Sequence, residues 1–195
     1  MNYIVRLVPA MEVARYNHDL VRVYQQAYPE PPYKKTQAEI DEFAHFLPIH
    51  NRQSGFRIAI GFDAGLNDLV GFAHGRAVEE QQPWLELVRP YFEDSLIEAW
   101  LADTFQVVEM GVDPDHQGKG LGGRLHDALL CDVPFSKAVL ATTDSNTHAY
   151  KLYKSRGWIE LQDSIPVPHL SRTYRLLGLD LRHFQFDNYK SLLEG

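Results

Sequence analysis

Two stretches of this sequence carry residue types whose spacing could do chemistry. The first is Gln117-Gly118-Lys119-Gly120-Leu121-Gly122-Gly123, which leads into Leu125, Ala128, Leu129 and Leu130, mostly on one face of a helix. The first N–H groups of a helix lack internal partners and sit at the positive end of its dipole. Glycine has no Cβ, so an anion can approach that backbone closely. The stretch therefore suits a diphosphate held by main chain. The second is residues 107–112, an apolar, β-branched run that reads as a buried strand and carries one acid, Glu109. Burial raises the proton affinity of a carboxylate toward that of a general base. The other reading of Glu109 is an ordinary salt-bridged or solvent-facing side chain.

Several anion-binding patterns compete for the glycines. Gly118-x-Gly120-x-x-Gly123 matches the dinucleotide fingerprint literally, and Asp144 lies about 20 residues beyond it, as that fingerprint asks. A dinucleotide turn places its first glycine at the strand end, however, and here the Pro-containing loop 113–117 intervenes. A Walker loop is excluded because Lys119 precedes Gly120 rather than Ser or Thr. Gln117-Gly-Lys-Gly-Leu-Gly resembles instead the Q/R-x-x-G-x-G/A signature of the GNAT superfamily of N-acetyltransferases. Val112-Asp-Pro resembles the V-x-P that ends the family's central strand. A second segment, Asn146-Thr-His-Ala149-Tyr-Lys-Leu-Tyr153-Lys-Ser-Arg-Gly157-Trp158, resembles the family's N-x-x-A-x-x-x-Y-x-x-x-G-F/W. The two patterns occur in the family's order, separated by one predicted strand.

The resemblance implies a GNAT fold: an α/β domain with a mixed, mostly antiparallel central sheet flanked by helices and splayed at its central strands. It implies acetyl-CoA as cofactor. Gln117, Gly118, Lys119, Gly120, Leu121, Gly122 and Gly123 would hold the diphosphate, although Lys119 equally fits a solvated side chain. Backbone freed by the splay, at Met110, Gly111 and Val112, would hold the pantetheine amides, and an N–H there would polarise the thioester carbonyl. Tyr153 would be the general acid, because a phenol of pKa ~10 can protonate a departing thiolate in a dry site; its alternative is a core aromatic. Asn146 would contact the cofactor or cap its helix. Glu109 would be the base, directly or through water, with His116 a weaker candidate in an exposed loop.

The implied activity is transfer of an acetyl group to a primary amine of a small molecule, by direct attack in a ternary complex. A peptide or protein amine is the alternative acceptor, and a non-catalytic CoA-binding module the alternative class. By fold analogy, residues 21–33, 84–100 and the loop near Pro166 would form the acceptor site. Cys131, the only cysteine, reads as a small buried hydrophobe at a helix end, with no base beside it for covalent catalysis. The nine His show no metal-ligand spacing, so no metal is expected.

The elements that must position these residues are legible from periodicity and punctuation. Strands are predicted at 3–8, 56–62, 69–77, 104–112, 138–143, 158–161 and 172–177. Helices are predicted at 11–27, from Thr36 to about 47 with Pro48 as its stop, at 84–101 as one or two short helices interrupted by Pro90, after the glycines, and at 148–156 with Gly157 as its stop. Thr36 and Glu39 form a capping-box pattern. Residues 166–168 read as loop, and 179–195 as an unassigned tail.

The 195 residues suit a single domain, 1–195, with an aromatic-rich insertion at about 79–103 that either lines the substrate mouth or packs into the core or a dimer patch. With 45% hydrophobic and 23% charged residues, the composition is that of a soluble globular protein. The net charge of −7, without a basic run, argues against nucleic acid or an anionic membrane as partner. No apolar run reaches the roughly 18 residues of a membrane span. A single cysteine and no leader-like N-terminus point to the cytoplasm. A homodimer is left open.

Overall fold

The structure is a computed structural model and describes residues 2–28, 35–91, 94–143, 147–166 and 173–184. In chain order its elements are β1 (Tyr3–Leu7), a 3-10 segment (Ala10–Tyr16), α1 (Asn17–Ala27), α2 (Gln37–His50), β2 (Arg57–Asp63) and β3 (Asp68–Ala77). Then come α3 (Pro83–Val88), a 3-10 turn (Arg89–Tyr91), α4 (Asp94–Leu101), β4 (Thr104–Val112), a 3-10 turn (Pro114–His116) and α5 (Leu121–Leu130). The chain continues with β5 (Lys137–Thr142), α6 (His148–Ser155), β6 (Ile159–Pro166) and β7 (Thr173–Asp180). These form two compact units. The first takes in the chain up to Arg76 and Val108–Val133, and the second Ala77–Val107 and the chain from Pro134. β4 contributes its second half to the first unit and its first half to the second.

In the first unit the strands lie in the order β1-β2-β3-β4. β1 pairs antiparallel with β2, and β2 with β3. Alternation along β2 sets its two faces. Ile58, Ile60 and Phe62, with Phe72 of β3, pack on Leu20, Val23 and Tyr24 of α1 and on Ile40, Phe43 and Leu47 of α2. The opposite face receives α5, and there the strands present Gly61 and Gly71. A Cβ on Gly61 would stand 2.8 Å from a Leu121 methyl, and one on Gly71 2.9 Å from a Leu125 methyl. Small residues thus let the helix sit close to the sheet.

In the second unit the order is β4-β5-β7-β6. β4 and β5 are parallel; β5 with β7 and β7 with β6 are antiparallel. Leu85, Val88 and Leu101 are buried with Val139, Ile165 and Leu176, and Trp84 and Trp100 pack against them. Leu85, Val88 and Leu101 of the aromatic-rich segment are thus core residues. Trp100 lies flat on β7: a Cβ on Gly178 would meet its ring at 2.6 Å.

Strands and helices make the mixed, mostly antiparallel α/β architecture implied by the resemblance, and four local expectations are corrected. Residues 10–16 form a 3-10 segment rather than the start of α1. The Thr36–Glu39 capping box is present, but α2 runs through Pro48 to His50. A proline in the last turn removes only one helix bond, which the helix end tolerates. β6 extends to Pro166, at the strand terminus where a missing N–H does little harm. β7 continues to Asp180, into residues read as tail.

His74 of β3 is buried among the rings of Phe43, Phe56, Phe72 and His50, with neither ring nitrogen hydrogen-bonded. Burial first, then the neighbouring His50 and Arg76, lowers its pKa to about 3. The folded state thus disfavours the proton that the unfolded chain accepts near pH 6.5. The stability this gives is complete above that pH and is lost as pH falls toward 3, by up to about 1.4 kcal/mol per unit. The melting temperature should fall between pH 7 and 4, and His74→Leu should flatten that profile; an unchanged slope in the variant refutes the assignment. Separately, Gly178→Ala should lower stability by about 1–3 kcal/mol in denaturant titration, because a rigid indole cannot yield as a flexible methyl would.

Candidate active site

The site is built on the loop between β4 and α5. Asp113 opens it, its carboxylate accepting from the Asp115 N–H at 3.0 Å in an Asx turn. Gln117 Nε2 donates back to the Val112 carbonyl at 2.9 Å and reaches the Ala27 carbonyl at 3.5 Å. Lys119 Nζ donates to the Asp115 carbonyl at 2.6 Å. His116, expected in an exposed position, is held instead: the Tyr3 hydroxyl lies 3.1 Å from its Nδ1, Asp63 lies 3.8 Å away, and its side chain is 12% exposed. These ties make the loop a fixed approach to the helix.

Gly118 and Gly120 both adopt the left-handed conformation, with φ of 69° and 84°, and a Cβ at either position would meet nothing within 4 Å. Conformation, not crowding, demands glycine there, and the space above the backbone is open. Gly120 is the N-cap of α5, and no side chain caps it. Leu121, Gly122 and Gly123 follow as the first turn, whose N–H groups lack helical acceptors. The other end of α5 is served by a cation. Arg57 donates to the Ala128 carbonyl at 3.5 Å and, over a short contact, to that of Cys131. Cys131 itself is buried at that helix end. An uncapped N-terminus behind two left-handed glycines fits the diphosphate of coenzyme A.

β4 supplies the second component. Within the second unit its first half pairs with β5 from Thr104↔Lys137 to Val107↔Leu140, and its second half, to Val112, belongs to the first unit. The Asp113 N–H bonds to Val70 of β3. Strand alternation then turns the main chain of Glu109 and Gly111 toward β3, and that of Met110 and Val112 to the opposite edge. On that edge side chains stand in for a strand: the Tyr28 hydroxyl donates to the Met110 carbonyl at 2.7 Å, and Gln117 to that of Val112. Gly111 faces α1 and is tightly enclosed, since a Cβ there would lie 3.2 Å from Ala27 Cβ and from Phe72.

Glu109 is 25% exposed at its side chain and is paired. Tyr28 donates to one carboxylate oxygen at 3.2 Å, and Lys35 Nζ lies 3.5 Å from the other. Lys35 is itself 11% exposed and stands 5.1 Å from the ring centres of both Tyr24 and Tyr28. Burial, and next the Glu109 carboxylate, pushes the Tyr24 phenol up, so it stays neutral. Tyr28 falls within the 21–33 region expected to form the acceptor site, whereas no sequence pattern had singled out Lys35.

Of the residues read from sequence, the first unit brings together Glu109, Met110, Gly111, Val112 and residues 117–123. Tyr153 belongs to the second unit, on α6, where it is buried and meets Trp158 edge-on at 5.8 Å. Asn146 lies outside the described residues. The helix-capping role considered for it falls to Thr147, whose side chain accepts from the Tyr150 N–H. Tyr150 donates its hydroxyl to Glu160 at 3.2 Å.

A side chain forced into left-handed backbone costs roughly 1–2 kcal/mol, more when β-branched. Gly120→Val should therefore re-aim the first turn of α5 and weaken coenzyme A binding at least about tenfold by calorimetry. Unaltered affinity would show that the ligand lies elsewhere.

The comparisons with known proteins bear on the fold and the family. Among solved structures, yncA of Salmonella typhimurium, determined with its cofactor acetyl-CoA, superposes with a TM-score of 0.62 at 16% identity, covering 93% of this chain and 95% of its own. The ribosomal-protein-S18-alanine N-acetyltransferase of Escherichia coli gives 0.60 at 17%, covering 92% and 94%. A chimera of the spermidine N-acetyltransferase SpeG of Vibrio cholerae and hSSAT gives 0.59 at 15%, covering 93% and 97%. At such identities these likenesses speak for the fold alone. No curated protein matches significantly by sequence. The sequence model of the acetyltransferase (GNAT) family matches residues 17–158, which include the β4 edge, the glycine loop and α6. The chain belongs to the GNAT family of acetyltransferases, whose cofactor is acetyl-CoA.

Proposed function

We propose that this acetyltransferase acts on nitrogen, moving the acetyl group of acetyl-CoA to a primary amine of a small molecule by direct attack within one ternary complex. The observation that carries the proposal is that the Met110 and Val112 carbonyls, beside Glu109, are met by single side-chain hydrogen bonds from Tyr28 and Gln117. Acetyl-CoA supplies the activated acyl carbon. The N–H groups of residues 121–123 hold its diphosphate, with Gln117, Gly118, Lys119 and Gly120 shaping the approach, and Met110, Gly111 and Val112 receive the pantetheine amides. Asn146 contributes to the same binding on the strength of its motif.

Glu109 is the base. An amine reaches the site as a cation, and a carboxylate first attracts it and then removes its proton. Tyr153 is the acid, assigned from the resemblance of its segment: a buried phenol keeps its proton until a thiolate needs it. A neutral amine then needs no acyl-enzyme. The buried Cys131, at the far end of α5 from the glycine loop, is unsuited to form one.

Free-thiol release from acetyl-CoA against a panel of small amines and peptide N-termini tests this reading. Turnover should be found with small primary amines, and preference for peptides would move the acceptor class. Tyr153→Phe should lower kcat roughly 10²-fold or more while coenzyme A affinity barely moves. Release unaffected by that variant removes Tyr153 from the chemistry, and no turnover with any amine favours a CoA-binding module without catalysis.

A further inference from the structure

Lys35 holds a position that an acceptor would need. Its primary ammonium lies 3.5 Å from Glu109, faces the rings of Tyr24 and Tyr28 at 5.1 Å, and belongs to a side chain only 11% exposed. Tyr28 ties this cluster to the active edge, because its hydroxyl bonds both Glu109 and the Met110 carbonyl. The ammonium therefore sits one residue's width from the main chain that receives the pantetheine, beside the carboxylate assigned as base. Two aromatic faces and one carboxylate are also the chemistry that recognises an alkylammonium. A salt bridge whose role was charge neutralisation alone would need neither the rings nor the link to Met110.

We propose that Lys35 is an internal acceptor: in the absence of an external amine, its Nζ is acetylated by the acetyl-CoA bound to the same chain. The proposal rests on the amine-acetyltransferase reading above. Glu109 takes one proton from the Lys35 ammonium and passes it to water. The freed lone pair forms the N–C bond to the acetyl carbon. The C–S bond breaks with its electrons on sulfur, and the second proton lost by nitrogen neutralises that thiolate. The products are an N-acetylated Lys35 and free coenzyme A. Once acetylated, the side chain is uncharged, so Glu109 loses its internal partner and becomes available to an incoming ammonium. The modification is thus single-turnover and site-directed, unlike chemical acetylation of exposed lysines such as Lys119.

Two measurements on the full chain test it. In cofactor-free protein, carbodiimide should couple Lys35 directly to Glu109, and prior acetylation should abolish that cross-link. With acetyl-CoA and no amine, peptide mapping should find close to one acetyl group per chain, on Lys35, at a rate independent of protein concentration. Glu109→Gln should slow that labelling at least about 10²-fold. Lys35→Arg should leave no single labelled site, with an unchanged melting curve confirming its fold. Absence of the cross-link overturns the proposal, as does an unmodified Lys35 in protein that acetylates external amines. Acetyl groups spread over surface lysines also overturn it. Failure of both self-labelling and external turnover overturns the amine-acetyltransferase reading itself.

Discussion

The governing constraint is that backbone N–H and C=O groups away from water need partners, and β4 must find them for the main chain it turns away from β3. Tyr28 and Gln117 meet that need at Met110 and Val112 with single neutral hydrogen bonds. Each such bond contributes about 0.5–1.5 kcal/mol net. An amide-bearing ligand can therefore displace them with little loss, since it offers a bond of the same kind. Under the proposed function, Met110 and Val112 are where a pantetheine arm would pair with β4.

The glycine loop, proposed above to hold the diphosphate, would do a different job. An anion at a helix N-terminus gains roughly 0.3–1 kcal/mol when exposed and up to about 2 kcal/mol when partly buried. A micromolar ligand needs about 8 kcal/mol. The loop therefore sets orientation more than affinity, and its value depends on where α5 is fixed. That is the purpose of the close seat of Leu121 and Leu125 against Gly61 and Gly71, and of Arg57 at the opposite helix end. Burial of Leu121, Leu125 and Leu129, at about 1.5–3 kcal/mol each, outweighs any dipole effect in deciding the helix position.

The two motifs and the bounds of β4 could be read from the residues because each has a local cause. Positive φ selects glycine at 118, 120 and 157, and alternation marks the strands. What escaped was of another kind. Pro48 inside α2 and Pro166 inside β6 keep a local breaker where the surrounding packing tolerates one lost bond. His116 looked exposed because its partners, Tyr3 and Asp63, are far away in sequence. Lys35 and Glu109 are separated by 74 positions, so their meeting depends on how α1 and β4 pack and not on any spacing. Glu109 was legible as a candidate; the ion pair that defines its surroundings was not.

That ion pair also explains how one carboxylate can serve two stages of a reaction. An ammonium is strongly hydrated, and a half-buried acid alone would struggle to draw it from water. Coulomb attraction near a protein surface, at an effective dielectric of about 20, reaches about 4 kcal/mol at 4 Å, and each aromatic face adds about 0.5–1 kcal/mol at an exposed site. Tyr24 and Tyr28 share the work of holding the cation, so Glu109 need not bind it so tightly that the proton becomes harder to remove. The arrangement follows from placing the acid on the half of β4 that packs against α1, where Ala27 faces Gly111 and Tyr28 reaches Met110.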